Sequence, residues 1–178
     1  ATLVRETGAG IVVAPDDAAA LMTHVEAVWD RMEFRTPWAR ARELERVQAA
    51  LGRFLHWHHA HPRRVIGVET PFHAVVDLPS GEQVRLTGFA DRLELDSAGR
   101  VVVVDLKTGR TKPAGPQVKG NLQLGLYPLA VDHGAVHRLE GLPETGAVAG
   151  GAGLVQLGLT DGGAVAEGQR QPGQAGAG

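Results

Sequence analysis

The stretch GFADRLELDSAGRVVVVDLKTGR, residues 88–110, reads as a β-hairpin. Asp91 lies on its first strand, and Asp105 and Lys107 lie on its second. The run Asp96-Ser97-Ala98-Gly99-Arg100 supplies the turn. A three-residue loop Ser97-Ala98-Gly99, with glycine in the left-handed position, is a common hairpin closure. If Asp96 faces Arg100, Asp91 falls directly opposite Asp105. Directly opposed residues have Cβ atoms only about 4.5–5.5 Å apart.

Strand alternation puts Phe89, Asp91, Leu93 and Leu95 on one face of the hairpin. Val101, Val103, Asp105 and Lys107 share that face on the partner strand. Two carboxylates this close repel each other, and burying them beside a lysine is costly without partners. A divalent cation between them offsets that cost, and hard cations such as Mg²⁺ or Mn²⁺ prefer oxygen ligands. A salt bridge from Asp91 or Asp105 to Lys107 or Arg92 accounts for the same residues without a metal. Spacing alone leaves both readings open. Val101–Val104 is apolar at every position, as a central strand covered on both faces requires.

Asp91 followed by Asp105-Leu106-Lys107 after a valine run resembles the D…(D/E)-x-K core of the PD-(D/E)xK nuclease superfamily. The fuller pattern GFADRLE…GRVVVVDLKTGR…LQLGLYPLAV is similar to its RecB-like branch. It is especially similar to nuclease domains at the C-terminus of actinobacterial UvrD/RecB-type helicases. The resemblance covers roughly residues 1–160. It implies an α/β fold with a small central mixed β-sheet flanked by helices, a restriction-endonuclease-like core. It implies Mg²⁺ or Mn²⁺ held by Asp91, Asp105 and the backbone carbonyl of Leu106, with Lys107 beside the reacting phosphate. Gln123 and Tyr127 position DNA in that branch, and Glu69 becomes an outer partner of the metal site. A histidine ligand occurs near the start of such domains. Here the segment is Ala1-Thr2-Leu3-Val4-Arg5, so Arg5 stands at the expected ligand position. Arginine cannot ligate a metal, although it can contact a phosphate.

The chain has 178 residues, 43% hydrophobic and 21% charged, as expected of one soluble globular domain. No run reaches transmembrane length, and no signal-peptide pattern opens the sequence, which makes a cytoplasmic location the expectation. Cysteine is absent, which excludes disulfides and the flanking iron–sulfur cysteines found in many relatives. The start without Met and the Gly/Ala-rich end point to a piece of a longer chain. The net charge of −2 shows no general basic excess for nucleic acid. A local strip of Arg110, Lys112 and Lys119, or another part of a larger protein, has to supply it.

Elsewhere the chain reads as follows. Asp16 caps a helix whose buried stripe is Leu21, Val25, Val28 and Met32. Thr36-Pro37 opens a second helix with Leu44, Val47, Leu51 and Phe54 or Leu55 inside. His56, His58, His59 and His61 lack a familiar zinc spacing and suit a helix C-terminus. Residues 65–78 form a strand interrupted at Pro71. Strand 83–95 changes apolar phase at Gly88, where a bulge re-aims Asp91. Residues 117–131 form a helix with Leu122, Leu126 and Leu129 inward, and with Gln123 and Tyr127 four apart on one face. Residues 132–152 are irregular, Leu154–Leu159 adds an edge strand, and 161–178 is a mobile Gly/Ala-rich tail.

The function expected is metal-dependent DNA cleavage, of exonuclease type, in the nuclease domain of a DNA-repair helicase-nuclease. Its partners are DNA and a helicase motor, with no membrane. No Walker-type motif occurs in the chain, so any motor lies outside it. The rival is a catalytically degenerate nuclease-fold module that guides or scaffolds DNA in a helicase complex. Arg5 and the near-neutral charge support the rival.

Overall fold

The computed structural model describes residues 17–109, 122–136, 139–142 and 146–158, and the backbone of 166–168. The chain divides into two compact units, Ala1–Ala60 and His61–Gly178.

In the first unit, helix α1 (Ala18–Trp29) is capped by Asp17, whose carboxylate accepts the N–H of Ala20 at 2.8 Å. The cap is thus one residue later than the expected Asp16. The inward positions are Leu21, Val25 and Trp29, four apart, whereas Val28 and Met32 are exposed. Trp29 takes over the stripe because its ring meets Phe34 at 5.0 Å and its Nε1–H donates to Arg40 O at 3.2 Å. Helix α2 (Pro37–Ala60) begins where Thr36-Pro37 predicts, with Thr36 Oγ1 accepting the N–H of Ala39 at 3.3 Å. His58 near its end stacks on Phe54, with centroids 6.0 Å apart.

The second unit is built on a five-stranded mixed sheet in the order β1-β2-β3-β4-β5. Strand β1 is Arg64–Asp77, β2 is Gln83–Leu95 and β3 is Val101–Lys107. Helix α3 is Leu122–Asp132, and β4 (Ala149–Gln156) and β5 (Ala166–Gly168) follow. The pairs β1–β2, β2–β3 and β4–β5 are antiparallel, and β3–β4 is parallel. The α/β class and the small mixed sheet are therefore as expected, with α3 packed on the sheet within its own unit.

Several local expectations are corrected. Pro71 does not interrupt β1 but pairs across from Phe89. The strand tolerates it because β1 is the sheet edge, where a missing N–H costs no ladder bond. Gly88 is no bulge, because it pairs regularly with Phe72, whose ring lies 3.0 Å from where a Cβ would stand. Glycine is present there to admit the ring. The β4 strand begins inside the region expected to be irregular, and it is internal rather than an edge. It pairs with β3 on one side and with β5 on the other. In α3 the inward residues are Leu124, Tyr127 and Val131, while Leu122 and Leu129 are exposed. The helix keeps Pro128 inside it.

One cluster joins sheet and helix, with Ala90, Leu93, Val101, Val103 and Leu154 packed on Leu124, Tyr127 and Val131. All four valines of β3 are buried, so the strand is covered on both faces as its composition requires. No helix among the described residues is long and apolar enough to cross a membrane.

Candidate active site

The hairpin turn sets the register of the site. Asp96 N–H donates to Arg100 O at 3.0 Å, Gly99 N–H donates to Asp96 O at 3.0 Å, and Gly99 has φ 73°. Only glycine adopts that conformation without strain. Pairs Leu95–Val101 through Arg92–Val104 follow, and continuing that register puts Asp91 across from Asp105. The Asp91 carboxylate reaches over to the partner strand, where its Oδ2 accepts the N–H of Leu106 at 2.7 Å.

The alternation expected along β2 does break, but beyond Gly88. Ala90 and Leu93 lie an odd number of positions apart, yet both join the same core cluster. Phe89, expected to share the buried face with Asp91, is 63% exposed. The irregularity also marks β1. Pairs Val68–Arg92 and Thr70–Ala90 bracket Glu69, which has φ 46° and is the one non-glycine residue with positive φ among the described residues. Such backbone is uncommon outside glycine and costs energy. Glu69 is thus strained directly across from Asp91, although it is exposed.

Asp105 is 2% exposed at the end of the valine run. Lys107 Nζ donates to its Oδ1 at 3.1 Å and lies 2.8 Å from its Oδ2. Oδ2 is buried and has no well-aligned donor. Gln123 Nε2 donates to Asp105 Oδ1 at 3.2 Å and to Tyr127 Oη at 2.9 Å. Tyr127 Oη donates to the same carboxylate oxygen at 3.4 Å. The four-residue spacing on α3 therefore delivers both side chains to one oxygen. Phe72 meets the Tyr127 ring edge-on, with centroids 5.7 Å apart, and so fixes its plane.

Burial pushes the Tyr127 phenol above its ordinary 10.0. The bond from Gln123 pulls it down, and the charges of Asp105 and Asp91 push it further up. Both carboxylates thus act electrostatically on one hydroxyl.

Whether these residues suit a divalent cation can be judged from Asp105 Oδ2. This buried carboxylate oxygen, met by the Lys107 ammonium at 2.8 Å and by no well-aligned donor, lies beside a second carboxylate from the facing strand, and oxygen donors of this kind match a hard cation's preference. The oxygens available to a cation at this point would be those of Asp91, Asp105 and the Leu106 carbonyl. Among the described residues, no group of three or more acidic, histidine or cysteine side chains stands at one point. Arg5, Arg110, Lys112 and Lys119 lie outside the described residues.

Two buried polar residues escaped the sequence reading. Glu94 is fully buried, with Arg92 Nε donating to its Oε1 at 2.6 Å and Arg63 3.7 Å from its Oε2. Alternation puts Glu94 on the face opposite Leu93 and Leu95, and nothing local signals that this face is also covered. Gln156 is 3% exposed at the end of β4, and its partner Gly109 is remote in sequence.

The family model of the PD-(D/E)XK nuclease superfamily matches residues 11–175. No curated protein matches the chain. Among solved structures, SSO0001 is similar at 16% identity with a TM-score of 0.42, over 92% of this chain and 72% of that one. A buried Asp105 paired with Lys107, an opposed Asp91 and a match over nearly the whole length lead to one assignment: the chain belongs to the PD-(D/E)XK nuclease superfamily.

Proposed function

We propose that this chain is a Mg²⁺- or Mn²⁺-dependent deoxyribonuclease, of exonuclease type, serving a DNA-repair helicase-nuclease. The observation that carries it is the convergence of Lys107, Gln123 and Tyr127 on the buried carboxylate of Asp105, with Asp91 tied to Leu106. A salt bridge alone requires neither the glutamine nor the tyrosine.

In this reading Asp91, Asp105 and the Leu106 carbonyl hold the cation. When bound, it supplies Lewis acidity toward a phosphoryl oxygen and makes water a better nucleophile. Phosphodiester hydrolysis joins a water oxygen to phosphorus and breaks the bond to the leaving sugar oxygen. Lys107, fixed on Asp105, orients that water or stabilises the growing negative charge. Gln123 and Tyr127 hold the Asp105 carboxylate in one orientation and present their outer atoms to the strand. Glu69, across from Asp91, is an outer partner of the site, and its strained backbone supports that role. Arg110 and Lys112 serve the DNA backbone.

The test is cleavage of linear DNA with Mn²⁺ by the wild-type chain and by Asp105→Ala. Cleavage lost in the variant supports the enzyme. DNA binding without cleavage in the wild type supports the rival, a module that guides DNA in a helicase complex.

A further inference from the structure

We infer that Gln156 is a positioning residue that holds the backbone leaving β3 and thereby keeps Lys107 on Asp105. This rests on the nuclease reading for its catalytic consequence, and on geometry alone for the clamp. Gln156 is in register with Lys107 on the parallel neighbour strand. Its Nε2 donates to the carbonyl of Gly109. One residue on, Leu157 N–H donates to Lys107 O at 2.7 Å. At Gly158 an added Cβ would run into the carbonyl oxygens of Thr108 and Gly109. Residues 156–158 are therefore pressed against the backbone of 107–109 by a side-chain bond, a main-chain bond and a close approach that only glycine allows.

A buried amide is an expensive way to fill this position. An apolar residue would pack without desolvation cost, as Leu154 does two residues earlier on β4. The amide's partner is the carbonyl of Gly109, at an exposed residue just beyond the strand end, so the bond ties the buried end of β4 to the chain as it leaves β3. Lys107 needs the restraint, because it ends its strand and carries a flexible four-carbon stem whose side chain is 42% exposed. If the strand end frays, the ammonium leaves Asp105. Misplacement by about 1 Å at a reacting centre can cost about 10²-fold in rate.

The test substitutes Gln156→Met, which keeps length and volume and removes the donor. Lys107, Lys112 and Lys119 are the lysines of the chain, so acetylation of the Lys107 amine is resolved by peptide mass spectrometry. The expected result is faster acetylation of Lys107 and a kcat lower by about 10²-fold, with KM for linear DNA within about twofold. The thermal midpoint stays within roughly 4 °C of wild type. Unchanged acetylation overturns the clamp, and faster acetylation with unaltered kcat overturns its catalytic role. If the wild type cleaves no DNA, the nuclease reading fails, and acetylation still decides the clamp. Should Gln156→Met not fold, Gln156→Asn, one methylene too short for Gly109 O, gives the same two readouts.

Discussion

Asp91 accepts the backbone N–H of Leu106 at 2.7 Å, so the first carboxylate is tied to the residue that follows the second. The tie separates two roles of Asp91 that substitutions can pull apart. Asp91→Asn keeps an oxygen for Leu106 and loses the charge. Its unfolding free energy should stay within about 1 kcal/mol of wild type in urea titration. Mn²⁺-dependent cleavage should drop by about 100-fold or more. Asp91→Ala also strands the N–H and should cost about 1–3 kcal/mol. Equal stability losses in the two variants would remove the tie as a structural element.

Tyr127 is the one tyrosine of the chain, so its titration can be followed by ultraviolet absorbance alone. Burial and the two carboxylates hold its phenol above the ordinary 10.0. A folded value above the unfolded one contributes stability that is complete below pH 10 and is lost as the pH rises through the folded value. Asp105→Asn removes one of the charges that raise it and should shift the absorbance transition to lower pH. Saturating Mg²⁺, by neutralising the same carboxylates, should shift it the same way. A transition that ignores both changes would separate Tyr127 from the site.

Gly88→Ala places a methyl 3.0 Å from the ring of Phe72, which packs edge-on against Tyr127. The ring has to move, at about 1–3 kcal/mol, and cleavage should fall because Tyr127 moves with it. Gly125→Ala is the control. Nothing lies within 4 Å of its added Cβ, and helix α3 should gain about 0.5–1 kcal/mol. Chemical denaturation measures both.

Asp96 closes the hairpin that sets the carboxylates opposite each other. Burial raises its pKa, but the N–H groups of Arg100 and Ala98 and the Arg100 guanidinium outweigh burial and hold it below 3.8. Its stability contribution is therefore complete above 3.8 and is lost as the pH falls through the folded value. The gap in urea midpoint between wild type and Asp96→Asn should accordingly shrink from about pH 5 to about pH 2. A gap that stays constant would mean the charge contributes nothing.

Much of this protein is legible in its residue order, because hairpins are local. The turn Asp96–Arg100, the glycine at its left-handed position and the buried valine run determine a register that brings Asp91 opposite Asp105. The pair Gln123 and Tyr127 is equally local, since helical spacing alone puts both on one face. What the order of residues left undecided depends on long-range neighbours. Alternation cannot tell that Ala90 and Leu93 enter the same core, because that depends on what packs over the sheet. Nor can it tell that Glu94 is buried, that β4 is internal, or that Gln156 meets Gly109. Burial and side-chain pairing between distant segments are properties of the assembled sheet, and only the tertiary structure decides them.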